Sequence, residues 1–240
     1  IRDSSGQLQE VSWPEALAAA AAGLRDAKAG VLVGGRATIE DAYGYSKFAR
    51  VALGTNNIDF RSRVHSDEEL DFLASAPLTA TYKDIDKADH VVLINFEPED
   101  ESPIVFLRLR KAALNGTTKV YSVAPYTSAG LAKMKGTLLT AGPREEVSAI
   151  ASAATHLSGD SVILVGERAA QTPGALTAVA ELVAKTGAKL AWIPRRAGDR
   201  GALDAGLLPI NGRNTSEIVT ATGSAIKGLV VGGVSPEDVD

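Results

Sequence analysis

The chain has 240 residues, with 25 Lys and Arg against 29 Asp and Glu, three His and no Cys. A net charge of -4 gives no overall basic field and argues against general nucleic-acid affinity, while the absence of Cys excludes disulfides, thiolate zinc sites, cysteine-ligated iron–sulfur clusters and a Cys nucleophile. Hydrophobic content of 45% with 22% charge belongs to a folded globular chain of one or two domains, and no apolar run approaches the ~18 residues of a membrane-spanning helix.

Taken in chain order, Ser12-Trp13-Pro14-Glu15 opens a helix. Ser12 is the N-cap, Glu15 completes a capping box, and Pro14 fits the first turn. Its apolar stripe runs through Leu17, Ala20, Ala21 and Leu24. A strand follows at Gly30–Val33 and a helix at about Ile39–Leu53. Asn56–Lys87 is a polar stretch with no clear strand. Strands then read at His90–Ile94, Lys119–Val123, Ser161–Val165, Lys189–Ile193 and Gly228–Val231. Helical patterns alternate with them at about Pro103–Leu114, Arg144–Leu157, Gly174–Thr186 and Ser216–Lys227, and Pro194–Asn214 is irregular. Near-continuous apolarity suits strands buried on both faces, and strand–helix alternation predicts an α/β fold with parallel sheets and right-handed crossovers. Six strands fit one doubly wound sheet or two smaller ones. The start at Ile1 rather than Met, with no signal-peptide pattern, reads as an excised piece of something longer.

Four motifs could carry chemistry. Gly34-Gly35 after a strand resembles the opening of a nucleotide-binding unit, in which helix N-terminal amides hold phosphate, but the third glycine of a dinucleotide fingerprint is missing. Phe96–Pro103 is the most acidic stretch. It reads either as a capped helix start, with Ser102 as cap, Pro103 at the first helical position and a solvated run of carboxylates, or as a cation site or acid/base pair. Arg195, Arg196 and Arg200 lie on a Gly-containing loop, which suits an anion or acidic partner, or internal salt bridges. His65, His90 and His156 fall in a loop, at a strand start and at a helix end. No Gly-x-Ser-x-Gly elbow occurs, and no nucleophile, base and oxyanion hole assemble, so no catalytic, cofactor-binding or metal-ligating residue is assigned.

Longer strings carry more. Val11–Leu17, Glu40–Arg50, Leu53–Asp59 and Ala88–Thr127 resemble the molybdopterin oxidoreductase family, which includes formate dehydrogenases, and the resemblance covers essentially the whole chain. Glu97–Lys111 and Ile193–Gly206 are similar to the branch of that family found in bacterial respiratory complex I. The resemblance implies two Rossmann-like parallel-sheet domains, one inserted in the other. The outer domain would comprise residues 1–57 with 159–240, and the inserted one residues 58–158. It also implies a longer chain than this one near Gly206–Ile210.

Where molybdenum-binding relatives place a Cys or selenocysteine after Arg-Val, this chain runs Arg63-Val64-His65-Ser66. The family's phosphate-gripping Asn is followed here by Phe96-Glu97, so Glu97, Glu99, Asp100 and Glu101 would face a pyrophosphate. A like-charge pair at ~4 Å and an effective dielectric near 20 costs about 4 kcal/mol. The family's Asp-Pro-Arg is Ala124-Pro125-Tyr126. The resemblance therefore implies a non-catalytic scaffold without molybdopterin. Iron–sulfur clusters would lie upstream of Ile1, other peripheral-arm subunits would be its partners, and it would sit on the cytoplasmic side of the bacterial membrane without inserting. The competing expectations are a working molybdenum enzyme with a Ser or His ligand, and a nucleotide- or anion-binding module.

Overall fold

The computed structural model describes residues 1–63, 66–235 and 238. The chain divides into two compact units, one formed by Ile1–Val64 with Arg196–Asp240 and the other by His65–Arg195.

The first unit begins with α1 (Trp13–Leu24), β1 (Ala29–Val33), α2 (Ile39–Lys47) and β2 (Ile58–Asp59). The capping box at α1 forms as the spacing predicts: Ser12 Oγ accepts the Glu15 amide at 3.4 Å, and Glu15 Oε2 accepts the Ser12 amide at 3.0 Å. The apolar stripe does not become core. No residue of α1 is buried, and Trp13 and Leu17 are 79% and 62% exposed. Cap and stripe are separate properties: the first is closed by neighbouring residues, whereas the second needs an opposing surface. The predicted helix to Leu53 changes pitch, as α2 widens into a π-helical turn at Phe48–Ala52 closed by the Leu53 amide on the Phe48 carbonyl.

The second unit contains α3 (Asp67–Ser75), α4 (Tyr82–Lys87), β3 (His90–Ile94), α5 (Pro98–Glu101), α6 (Pro103–Leu114), β4 (Lys119–Ala124), α7 (Ala129–Lys133), β5 (Thr137–Thr140), α8 (Glu146–Ser152), β6 (Val162–Gly166), α9 (Ala175–Thr186) and β7 (Lys189–Ile193). The chain then returns to the first unit with α10 (Asp199–Asp204), α11 (Thr215–Ala221) and β8 (Gly228–Gly232).

Two parallel sheets result, ordered β2-β1-β8 and β5-β4-β3-β6-β7. All five residues of β1 are buried. The outer strand β8 departs from the expected two-sided burial, since Leu229 and Val231 are about half exposed. In the five-stranded sheet Leu93 pairs in register with Leu164, and Val91, Leu109, Leu131, Met134 and Val162 pack with them into one core.

The expected domain boundaries move. Residues 159–195 do not return to the outer unit, because β6 pairs with β3 and β7 with β6. Ile58 and Asp59 stay in the outer unit, because β2 pairs with β1. Pairing decides membership, and pairing joins strands about 70 residues apart that no local pattern relates. The stretch Asn56–Lys87 also holds more order than its polarity suggests. Ser66 and Thr81 cap α3 and α4, the latter through a full capping box with Asp84. Strand β5 has no apolar alternation to reveal it, because it is a half-exposed edge strand.

Helix α9 starts at Gly174, whose φ of +81° and lack of a side chain leave its first amides uncapped from within. Glu68 of α3 supplies the cap, accepting the amides of Gly174 at 2.9 Å and Thr177 at 2.6 Å and the Thr177 hydroxyl at 2.7 Å. Burial pushes the Glu68 carboxyl up, but the Thr177 hydroxyl and the helix amides outweigh it and hold it below its ordinary 4.5. A carboxylate depressed on folding contributes stability that is complete above pH 4.5 and is lost as pH falls below it. Glu68→Gln is therefore expected to lower the melting temperature at pH 7 and to flatten its fall between about pH 5 and 3. Melting curves of both proteins across that range check this, and parallel pH profiles would sink it.

Candidate functional site

In a parallel sheet the ligand-binding places lie at the carboxyl ends of the strands, where successive loops diverge. Each unit has one such place.

In the first unit, Gly34 and Gly35 follow β1. A side chain on Gly34 would collide with the Gly233 carbonyl, and one on Gly35 with the Asp199 carboxylate and the Arg196 stem. The Gly34 amide donates to the Gly232 carbonyl at 2.8 Å, and the Gly35 carbonyl accepts the Gly198 amide at 2.8 Å. Close backbone approach thus requires both glycines. Helix α2 offers phosphate little: Thr38 caps it by accepting the Asp41 amide, and Glu40 and Asp41 occupy its first turn.

The segment expected near a metal ligand is fastened internally. Asp59 Oδ1 accepts the Arg61 amide and Nε, both at 3.0 Å, and Oδ2 accepts Arg61 Nη2 at 2.9 Å and the Thr215 amide at 3.2 Å. Asn57 Oδ1 accepts the Arg213 amide. Ser66 Oγ, beside the expected ligand position, is committed to the Glu69 amide as the α3 cap. Val64 and His65, the latter the alternative ligand, lie outside the described residues. The cavity bordered by Gly34, Gly35, Asp59, Arg61, Arg196 and Asp238 has a volume of about 10 Å³, space for a single water.

Two of the three loop arginines are held by carboxylates within their own unit, and the third is held through its backbone amide. Arg196 pairs with Asp238, Arg200 with Asp204 one helical turn on, and the Arg195 amide donates to Glu167.

In the second unit the strand order reverses between β3 and β6, and Asn95 and Gly166 stand at their ends. Asn95 has a φ of +47°, and a side chain on Gly166 would meet the Asn95 carbonyl. Asn95 Oδ1 is buried and has no hydrogen-bond partner among the described residues. Phe96 is buried beside it.

The acidic turn is bonded more heavily than a solvated cap. Glu97 Oε1 accepts the Glu99 amide at 3.2 Å, and Glu101 Oε1 accepts the Glu97 amide at 2.7 Å. Lys133 pairs with Glu99, and Arg168 with Glu101. Pro103 does open α6, but Ser102 makes no side-chain cap bond; Glu97 does the capping, on α5. On the neighbouring strand, the Ala124 carbonyl accepts the Ala141 amide and Tyr126 projects into solvent.

A pyrophosphate needs amide donors or cations. Here Glu97, Glu99 and Glu101 present oxygen, and Lys133 and Arg168 already hold carboxylates, so these residues do not fit the family's cofactor. No group of three His, Cys, Asp or Glu among the described residues could hold a metal ion.

His90 and His156 lie together at the opposite ends of the strands, around Tyr121. His90 Nδ1 lies 3.1 Å from Asp89 Oδ2, and the Tyr121 ring stacks on His156 with centroids 4.3 Å apart. Burial pushes the Asp89 carboxyl up, but bonds from the Ser161 hydroxyl and the His90 amide, with the adjoining imidazole, bring it below its ordinary value.

Two features lie outside the sequence reading. The Asp59–Arg61 pair was legible in principle, since positions i and i+2 at a strand end share a face. Asp238 was not, since 202 residues separate it from Arg36.

Comparison with known families matches residues 1–226 to the family described as Molybdopterin oxidoreductase. The G subunit of NADH-quinone oxidoreductase from Mycobacterium tuberculosis is 54% identical over 219 residues, covering 86% of this chain and 27% of that protein. The protein of the same name from Streptomyces coelicolor is 48% identical over 243 residues, covering 87% of this chain and 29% of that protein. The alpha subunit of F420-dependent formate dehydrogenase 1 from Methanococcus maripaludis is 31% identical over 130 residues, covering 51% of this chain and 19% of that protein. The chain thus spans little more than a quarter of the length of the mycobacterial and streptomycete relatives.

Proposed function

This chain belongs to the molybdopterin oxidoreductase family, and on that footing we propose that it is a non-catalytic, cofactor-free scaffold domain of the G subunit of an NADH-quinone oxidoreductase. The observation that carries the reading is the turn from Glu97 to Glu101, where carboxylates stand in place of phosphate donors and neutralise Lys133 and Arg168. The likeness to two proteins of that name, each matched over more than four fifths of this chain, supports the placement.

In this reading the domain packs against neighbouring subunits of the complex's peripheral arm, on the cytoplasmic side of the membrane. It supports electron transfer from NADH to quinone through iron–sulfur clusters held elsewhere in the same polypeptide. No described helix is long and apolar enough to cross a membrane. A carboxylate-lined turn with its cations consumed has a mechanical use: Glu99–Lys133 ties α5 to α7, and Glu101–Arg168 ties it to the segment after β6.

Elemental analysis tests the reading on the intact subunit, purified from a host that makes the pterin cofactor. Molybdenum and tungsten should both be absent while iron is present. Either metal at one equivalent per chain would overturn the reading and favour an enzyme with a Ser or His ligand.

A further inference from the structure

At the carboxyl end of β1 two arginines from separate loops close on one carboxylate. Arg36 follows the Gly34-Gly35 turn, and Arg196 opens the returning segment of the same unit. Arg36 Nη1 donates to Asp238 Oδ2, and Arg36 Nη2 reaches Oδ1 at 3.4 Å. Arg196 Nη2 donates to Oδ1 at 2.6 Å, and the Ser235 amide donates to Oδ2 at 3.0 Å. The Asp238 side chain is only 8% exposed, whereas those of Arg36 and Arg196 are 51% and 44% exposed. The anion is enclosed and its cations face outward.

Two guanidinium forks and a backbone amide around enclosed oxygens are the donor set that holds phosphate or another oxyanion. The position is also the expected one. β1 is the middle strand of its sheet, and the loops leaving its carboxyl end and that of β8 border the crevice. Gly34 and Gly35 bring backbone close to the seat, and the adjoining space admits no more than a water. The Arg36 guanidinium, helped by the Ser235 amide, holds the Asp238 carboxyl down at about 2, so the group stays ionised throughout the neutral range.

We infer that Asp238 is a resident counter-anion: its carboxylate fills an oxyanion seat built from Arg36, Arg196 and the Ser235 amide, and so closes this crevice to phosphate. The inference carries the cofactor-free reading to a second place in the chain. Its test is separate, because elemental analysis of the intact subunit does not depend on any Asp238 variant.

The probe is inorganic phosphate, titrated calorimetrically and by thermal melting against chloride at matched ionic strength. Wild-type protein should give no saturable heat and no shift in melting temperature. Asp238→Ala, which vacates the seat, should melt lower in chloride and bind phosphate at least about tenfold more tightly than wild type, recovering part of its melting temperature. Adding Arg196→Ala should abolish that recovery. Asp238→Ser removes the charge and part of the volume while keeping a hydroxyl for the Ser235 amide, so it serves if the Ala variant does not fold; it should respond to phosphate in the same direction but less. Phosphate-blind Asp238→Ala that is folded by circular dichroism would overturn the inference. So would a phosphate-blind but folded Asp238→Ser where the Ala variant is unfolded, or wild-type protein that binds phosphate as well as the variants do.

Discussion

Replacing Asp59 with Ala should remove about 3–5 kcal/mol from the unit containing β1, the range for breaking a buried ion pair from one side. Its side chain is fully buried, and that of Arg61 is 4% exposed. The substitution takes the carboxylate from a buried guanidinium and at once deprives the Thr215 amide, at the start of α11, of its acceptor. Since the chain has two units, one global unfolding curve would mix them. Hydrogen exchange at the Val31 and Leu32 amides reads the affected unit directly. Asp59→Leu combined with Arg61→Met should recover the ion-pair part of the loss, because an apolar pair of similar volume leaves no buried charge unpaired, while the Thr215 amide stays without its acceptor. A loss below about 1 kcal/mol in the single variant would show that this pair is not the fastening its geometry suggests.

Leu164→Ala should cost the other unit about 2–5 kcal/mol. Leu164 is fully buried on β6, pairs in register with Leu93 on β3, and belongs to the core that also holds Val91, Leu109 and Val162. Truncation removes transfer free energy and leaves a cavity, because both neighbouring strands are pinned by their ladders. Exposed Leu17 on α1 is the control, and Leu17→Ala should change stability by no more than about 0.5 kcal/mol. Exchange protection at the Leu93 and Val162 amides measures the first effect, and equal costs at the two sites would contradict this assignment of core and surface.

The candidate sites divide by the reach of their signals. The acidic turn was readable as acidic, and the family resemblance led to the expectation that Glu97 and Ala124 stand where relatives hold phosphate. That Lys133 and Arg168 close on Glu99 and Glu101 was not readable, since these ion pairs span 34 and 67 residues. The bland expectation of a solvated run was too simple for that reason. For Gly34-Gly35 the sequence offered phosphate binding, and the structure supplies another cause, the close approach of Gly233, Asp199 and Arg196.

Six apolar runs became strands β1, β3, β4, β6, β7 and β8, and the capping boxes at Ser12 and Thr81 obey local spacing. Such signals survive because a strand's apolarity and a helix cap involve residues within a few positions of one another. The α/β class and most of the elements that form the two cores follow from the sequence alone. Only the tertiary structure decided that β6 and β7 join β3 rather than β1, that α1 is capped but uncovered, and that Asp238 meets Arg36 and Arg196. Those outcomes rest on pairings across tens to hundreds of residues. There the free energy lies in burying one surface against another, and no short window of sequence contains both surfaces.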